Sequence, residues 1–401
     1  MSEILAIGII LFFGFFAGKF ISKLKFPTVT GYILIGLAFG VSFLKLIPLE
    51  LNLELTWLIE FALLLVAFNV GMELKISTFK RLGKPLILII IFETLFTFLF
   101  LFIGMFLLHL SLPLSLLIAA IGCATAPAVT VMVLAEYRAS GPLTQTLLAC
   151  VGMDDAIGLM LYSISASIAH IAFDKLKISF GILLLKIIAG IFFSLFTGWL
   201  SGILLLFILR KVKDPLNVLV VTIGTIMLFS GLLQTKPWGI RFSPLLCAMM
   251  LGFIVSNYSV RRGTVFTVFE NFSLPFYVIY FVLAGARLNI HLLMKLGLVA
   301  LVYLLCRFSG KIFGAFFGAV IGKAPAVLRK YTGFGLFSQA GIAIGLCLYA
   351  AKEFPQVGDT IIAIALGTTI VTEFVGPILT KWAIKKAGEV KRIDKTKKEI
   401  Y

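Results

Sequence analysis

Apolar residues recur in long runs from Ile4 to Ile384, parted by short polar or basic connections. Each run is close to the length of about 20 residues that crosses a bilayer as a helix. The pattern predicts about thirteen helices, spanning roughly 4–22, 28–45, 53–73, 84–109, 113–136, 142–171, 180–210, 215–234, 243–257, 266–287, 292–322, 331–352 and 357–386. The period-two alternation of barrel strands is missing, and only helices and closed barrels satisfy their backbone in lipid. The chain therefore reads as an all-α polytopic membrane protein. Its first run lacks a small-residue cleavage site and leads straight into further apolar segments, so it reads as a retained helix.

Two of these segments are interrupted. The first contains Gly122-Cys-Ala-Thr125-Ala-Pro127, and a proline in a helix interior removes one hydrogen bond and clashes with the preceding turn. The second contains Gly335-Leu-Phe-Ser338-Gln339-Ala-Gly341. They stand seven segments apart, and an odd offset means that they run in opposite directions. That fits inverted repeats, with residues 180–210 as the linker helix between them. Paired interruptions in corresponding positions point to a transporter site.

Asp154 and Asp155 stand side by side in the segment 142–171, with no other charged residue between Arg138 and His170. A charge at bilayer depth is costly enough to make a functional role the first hypothesis. Adjacent helical positions point about 100° apart. One carboxylate then faces a water-filled cavity while the other faces a protein partner. Lys311 supplies a candidate partner, and Arg307 lies one turn away on the same side. Beside them Gly310, Gly314 and Gly318 form a small-residue face that admits a second backbone. Asp155 lies 13 residues from the inner end of its segment and Lys311 lies 11 from the inner end of its own. Those offsets are roughly 20 and 17 Å at 1.5 Å per residue, a comparable depth and beyond a lysine's reach to the surface. Glu60 and Glu93 have no obvious partner, and Arg307 is open to either. Glu373 is expected to meet helix-end bases, Lys19 and Lys186 to snorkel, and His109, His170 and His291 to be solvated near the outer surface.

Composition changes the picture in two ways. Hydrophobic residues make up 61% of the 401 positions and charged ones only 13%, which excludes an ordinary water-soluble domain. The net charge of +17 is carried by short connections and a basic tail. Placing the N-terminus outside gathers Lys23, Lys25, Lys75, Lys80, Arg81, Lys84, Arg138, Arg210, Lys211, Lys213, Arg261, Arg262, Lys323, Arg329 and Lys330 inside. Fewer bases fall outside: Lys45, Lys175, Lys177, Lys236, Arg241, Arg287 and Lys352. The bias predicts N-out and C-in topology, with residues 391–401 as a short basic cytoplasmic tail against anionic lipid. It is not the footprint of a nucleic-acid binder. The five cysteines lie singly in apolar segments, which argues against a disulfide framework or a structural zinc site.

The chain resembles the monovalent cation:proton antiporter-2 family, with its Kef-type and sodium/proton antiporter members. The likeness lies in Gly71-Met-Glu-Leu-Lys75, Arg81-Leu-Gly-Lys84, Thr125-Ala-Pro127, Asp154-Asp155, Arg307-Phe-Ser-Gly-Lys311, Ser338-Gln339-Ala-Gly341 and Thr372-Glu-Phe-Val-Gly-Pro377 leading to Lys385-Lys-Ala-Gly-Glu389. The resemblance implies a sodium/proton antiporter-like fold in which the two broken helices cross. It implies that Asp155 binds the cation or the proton, that Asp154 pairs with Lys311, with Arg307 one turn away as the reserve partner, and that Thr125 and Ser338 at the crossing contribute to the ion- and proton-binding site. It also implies a homodimer. Helices within about 84–171 and 292–386 would form a moving core, and those within about 4–73 and 215–287 a scaffold and dimer interface, all in one transmembrane unit of residues 1–390. The soluble nucleotide-binding domain of many Kef-type relatives does not follow the last helix here, so gating by nicotinamide nucleotides or glutathione conjugates is not expected.

The expected function is exchange of sodium or potassium, with lithium as a further candidate, for protons across the inner cell membrane by alternating access. It needs no cofactor and is not an enzymatic activity. Competition of cation and proton for Asp155 gives antiport without further machinery. A sodium-coupled organic-solute symporter would need a larger polar cavity with several amide and acid ligands. An intramembrane aspartyl protease needs two carboxylates facing one water, and adjacent positions on one helix splay apart. A cation channel stays open as an alternative.

Overall fold

The computed structural model describes residues 2–24, 26–173, 180–234 and 242–390. The basic tail and Lys25, Lys175, Lys177, Lys236 and Arg241 of the charge count lie outside the described residues. All regular structure among the described residues is helical. The helices are α1 Glu3–Lys23, α2 Thr28–Phe39, α3 Leu49–Glu54, α4 Thr56–Glu73, α5 Ile76–Leu107, α6 Leu112–Ile121, α7 Pro127–Glu136, α8 Pro142–Val151, α9 Asp154–Phe173 and α10 Phe180–Lys211. They continue as α11 Pro215–Gln234, α12 Pro244–Tyr258, α13 Arg262–Arg287, α14 Ile290–Lys295, α15 Gly297–Ile321, α16 Ala326–Tyr331, α17 Gly341–Glu353, α18 Pro355–Ile361 and α19 Gly367–Lys386. A 3₁₀ turn at Thr332–Leu336 extends α16, and a π turn at Ile362–Leu366 joins α18 to α19.

Among the described residues, nine helical spans are long and apolar enough to cross a membrane, and α16–α17 adds a tenth as a bent pair. The shorter apolar helices α2, α6 and α12 complete the thirteen expected segments. Proline opens α7, α8 and α12, where its missing N–H is one that a first helical turn leaves unpaired anyway.

Glycines set the closest helix contacts. A side chain at Gly36 or Gly285 would strike the facing backbone, so α2 and α13 lie against each other at Gly36/Val282 and Ile33/Gly285. Gly71 and Gly252 do the same for α4 and α12. The small-residue face of α15 packs on α5, with Gly310 against Thr97, Gly314 against Glu93 and Gly318 against Leu88 and Ile89. This last contact positions the site, because it lays Lys311 against α5.

Both expected interruptions are present. The chain leaves helix between α6 and α7 and again before α17, where the axis bends by 46°. The two breaks meet: the Ala126 N–H donates to the Ser338 carbonyl at 3.0 Å. A third break was not expected. The segment 142–171 is two helices, α8 and α9, divided at Gly152 and Met153. Asp154 and Asp155 therefore open α9 rather than standing mid-helix. Carboxylates are favoured in a first helical turn by its free N–H groups and the helix dipole.

Candidate functional site

The site is assembled where the two breaks cross, against α9, α15 and α5. Arg307 on α15 is fully buried. Its Nε donates to the Gly122 carbonyl at 2.9 Å, and its Nη2 donates to Ala124 at 2.8 Å and Ser338 at 3.3 Å. Its Nη1 donates to the Phe337 carbonyl. One guanidinium thus caps the carbonyls that both breaks leave without helical partners, a task suited to its rigid fork of donors. The sequence left Arg307 open to Glu60 or Glu93, and neither is its partner. Glu60 pairs with Lys352 near the other end of α4.

Lys311, one turn along α15, is also fully buried. Its Nζ donates to the Cys123 carbonyl at 2.7 Å, to Thr125 Oγ1 at 2.8 Å and to Asp154 Oδ2 at 3.2 Å. Glu93 Oε2 is closer than Asp154, at 2.8 Å, and forms an ion pair with the same ammonium. The Thr125 hydroxyl in turn donates to Asp154 Oδ2. Lys311 therefore joins the α6–α7 break to two acids on α5 and α9. Glu93 is the member of this group that the sequence reading left without a role. The signal was the glycine face beside Lys311, which required some backbone to lie within reach of the lysine.

Asp155 points elsewhere. It is buried, its Oδ1 has no hydrogen-bond partner, and the Thr125 backbone amide sits beside its carboxylate. Ser338 is at the crossing, and its buried Oγ also lacks a partner. Of the expected residues, Thr125, Asp154 and Lys311 are in direct contact. Arg307 and Ser338 share the crossing through a backbone bond, and Asp155 stands beside Thr125.

Two cavities approach from opposite ends of α4. One, of about 320 Å³, is lined by Glu73, Lys75, Thr78, Pro127 and Gln145, and reaches the Gly152–Met153 break next to Asp154. The other, of about 460 Å³, is lined by Glu60, His170, Tyr349, Lys352 and Glu353. His170, expected to be solvated, is instead buried, with Nε2 2.7 Å from Glu353 Oε1. Glu353 also accepts from the Tyr162 hydroxyl at 3.4 Å. Glu373 was expected to meet helix-end bases. Its partner is the Thr30 hydroxyl on α2, at 3.4 Å, because α19 turns this face inward rather than toward the helix ends.

The transmembrane sodium/hydrogen exchanger family matches residues 7–386. No curated protein sequence matches the chain. Among solved structures, the fold is similar to the sodium proton antiporter MjNhaP1 from Methanocaldococcus jannaschii at pH 8, with a TM-score of 0.83 and 20% identity over 96% of this chain and 98% of that one. An electron-microscopy structure of the same antiporter gives a TM-score of 0.71 and 23% identity over 97% and 96% of the two chains. At these identities the likeness is one of fold.

Proposed function

The chain belongs to the sodium/hydrogen exchanger family and exchanges a monovalent cation for protons across a membrane, and on that premise we propose that Asp155 is the single carboxylate at which cation and proton compete. The observation that carries this reading is the state of its Oδ1: buried at the first turn of α9, beside the crossing, and without a hydrogen-bond donor. Such an oxygen is costly to bury unless a proton or cation occupies it for part of the cycle. Thr125 and Ser338, both buried at the crossing, are the further oxygen ligands of this reading. Asp154 holds Lys311, and Arg307 fixes the crossing so that the ligand oxygens keep their places.

In this reading the core helices, within about 84–171 and 292–386, shift against the scaffold, within about 4–73 and 215–287, and the linker 180–210 joins them. Asp155 is exposed alternately to the cavity at Glu73 and to the one at Glu60. The charge bias supports placing the first of these on the cytoplasmic side of the inner membrane, with the N-terminus outside and the C-terminus inside. The scaffold helices supply a homodimer interface. Sodium is the cation that the family's description names; potassium and lithium are to be tested beside it.

The experiment is exchange by purified protein in liposomes carrying an internal pH dye, with sodium, potassium and lithium added in turn. Asp155→Asn is expected to insert and fold but to exchange none of them. Substantial cation-dependent proton movement by this variant would overturn the assignment. Cation flux uncoupled from protons in the wild type would favour a channel instead.

A further inference from the structure

We propose that Tyr280 is a gate of the ion site: from the scaffold it plugs the space between the crossing and the cavity at Glu60, and its hydroxyl must leave the Gly341 carbonyl before Asp155 can face that cavity. The inference rests on the alternating exposure of Asp155 given above.

The surrounding helices show at what depth the plug stands. Helix α17 starts at the second break with Gly341, and its far half gives Tyr349, Lys352 and Glu353 to the cavity at Glu60. Gly345 lies between, one turn or about 6 Å beyond the break. A side chain at Gly345 would collide with the Tyr280 hydroxyl and with Leu63, so these two side chains fill that level. Both are buried. On α4, Glu60 lines the cavity and Leu63 is about one turn nearer the middle. On α9, His170 lines the cavity, and Asp155 lies 15 residues further in, about 22 Å at 1.5 Å per residue. Tyr280 is thus between the two, with the Asp155 carboxylate in electrostatic reach of its hydroxyl.

The plug is tied as well as packed. The Tyr280 hydroxyl donates to the Gly341 carbonyl at 2.8 Å. Gly341 has a φ of +35° and opens α17 directly after the break, so the bond runs from α13 to the bend of the broken helix. Arg307 holds the Phe337 and Ser338 carbonyls of the same break, but it stands on α15 and travels with the core. Tyr280 stands on the scaffold helix α13, so its bond cannot travel. A core shift that brings Asp155 to the Glu60 cavity carries Gly341 and Gly345 away from the ring, and the hydroxyl loses its acceptor. A buried donor without an acceptor is unfavourable, and the bond therefore favours the arrangement closed on this side. The opposite cavity agrees with that arrangement, because it reaches Gly152 and Met153 beside Asp154.

The test follows a cysteine placed under the plug in the full chain. Gly158 lies on α9 one turn beyond Asp155, and a Cβ there meets its neighbours only at 3.9 Å, so Gly158→Cys is accommodated. A membrane-impermeant thiosulfonate reagent is applied to either face of sealed vesicles. The parent chain is the blank for the native cysteines, and Gln356→Cys, in the lining of the Glu60 cavity, marks which face is which. In the Gly158→Cys chain, Tyr280→Phe is expected to speed labelling from the Gln356 face about two- to tenfold, the equilibrium effect of one net hydrogen bond. Labelling from the opposite face is expected to stay equal or to slow. Tyr280→Ala removes the ring as well and should speed labelling from the Gln356 face further. A merely loosened structure would speed labelling from both faces. Unchanged labelling from the Gln356 face in both Tyr280 variants, or an equal rise on both faces, would overturn the proposal. If Tyr280→Ala fails to fold, Tyr280→Phe and Leu63→Ala, which thins the same plug from α4, decide it by the same comparison. Exchange retained by Asp155→Asn would sink the underlying reading, whereas an inactive Asp155→Asn beside unaltered labelling in the Tyr280 variants would sink only the gate.

Discussion

Replacing Arg307 by methionine removes a buried side chain that bonds to both helix breaks. The guanidinium serves the carbonyls of Gly122, Ala124, Phe337 and Ser338, and it is fully buried. A buried carbonyl left without its partner costs about 1–3 kcal/mol. Ser338 keeps the Ala126 N–H, so the other three set an upper bound of about 3–9 kcal/mol, and water entering beside Asp155 relieves part of it. A net loss of about 4–6 kcal/mol is comparable with the whole stability of many domains. Arg307→Lys keeps the charge but offers three donors from a single point, so it recovers some of the four contacts and loses about 2–3 kcal/mol. The assay is the thermal midpoint of purified protein in detergent, read by intrinsic fluorescence. The expected order is wild type, then Arg307→Lys, then Arg307→Met, with the last poorly folded or lowest by a wide margin. A midpoint for Arg307→Met equal to wild type would refute the claim that this side chain holds the crossing.

Two further outcomes follow from contacts away from the ion site. Glu389 caps the start of α8, accepting from the Leu143 and Thr144 N–H groups and the Thr144 hydroxyl, each at 2.7 Å. Glu389→Ala is expected to cost about 1–2 kcal/mol, the range for losing a helix cap, and to lower the thermal midpoint. Glu389→Gln should lose less, and an unchanged midpoint for Glu389→Ala would deny that the cap holds α8. Gly376 packs directly on Ser338, where a Cβ would collide with the hydroxyl. Gly376→Ala is therefore expected to cost about 1–3 kcal/mol by overpacking and to slow exchange by displacing Ser338. Wild-type stability together with wild-type transport would contradict that placement.

How far the chain could be read depended on what kind of interaction fixed each feature. The breaks at Thr125-Ala-Pro127 and Ser338-Gln339-Ala-Gly341 were legible because proline and glycine interrupt helices by local chemistry. The break at Gly152 and Met153 was not. No proline marks it, and the apolar run on either side is equally good helix. The depth match of Lys311 with the aspartates followed from rise per residue alone, and the structure places Asp154 Oδ2 3.2 Å from the lysine. The partners of Arg307 were missed because they are backbone carbonyls, which carry no signature in sequence and become available only when two breaks meet. Glu93 was missed for a related reason. The glycine face of α15 showed that some helix must approach Lys311, but a single sequence does not say that it is α5. His170 and Glu373 were misplaced by reading burial from position along a segment, whereas helix rotation turns both side chains inward.

The central claim is that one carboxylate carries both ions in turn, and proton release on cation binding tests it most directly. Purified protein in weakly buffered detergent solution is titrated with sodium chloride while a pH dye is followed, with choline chloride as the ionic-strength control. The account predicts that the wild type releases protons saturably as sodium binds, and that Asp155→Asn, folded by its thermal midpoint, releases none. Saturable sodium-dependent proton release from Asp155→Asn, equal to that of the wild type, would contradict it.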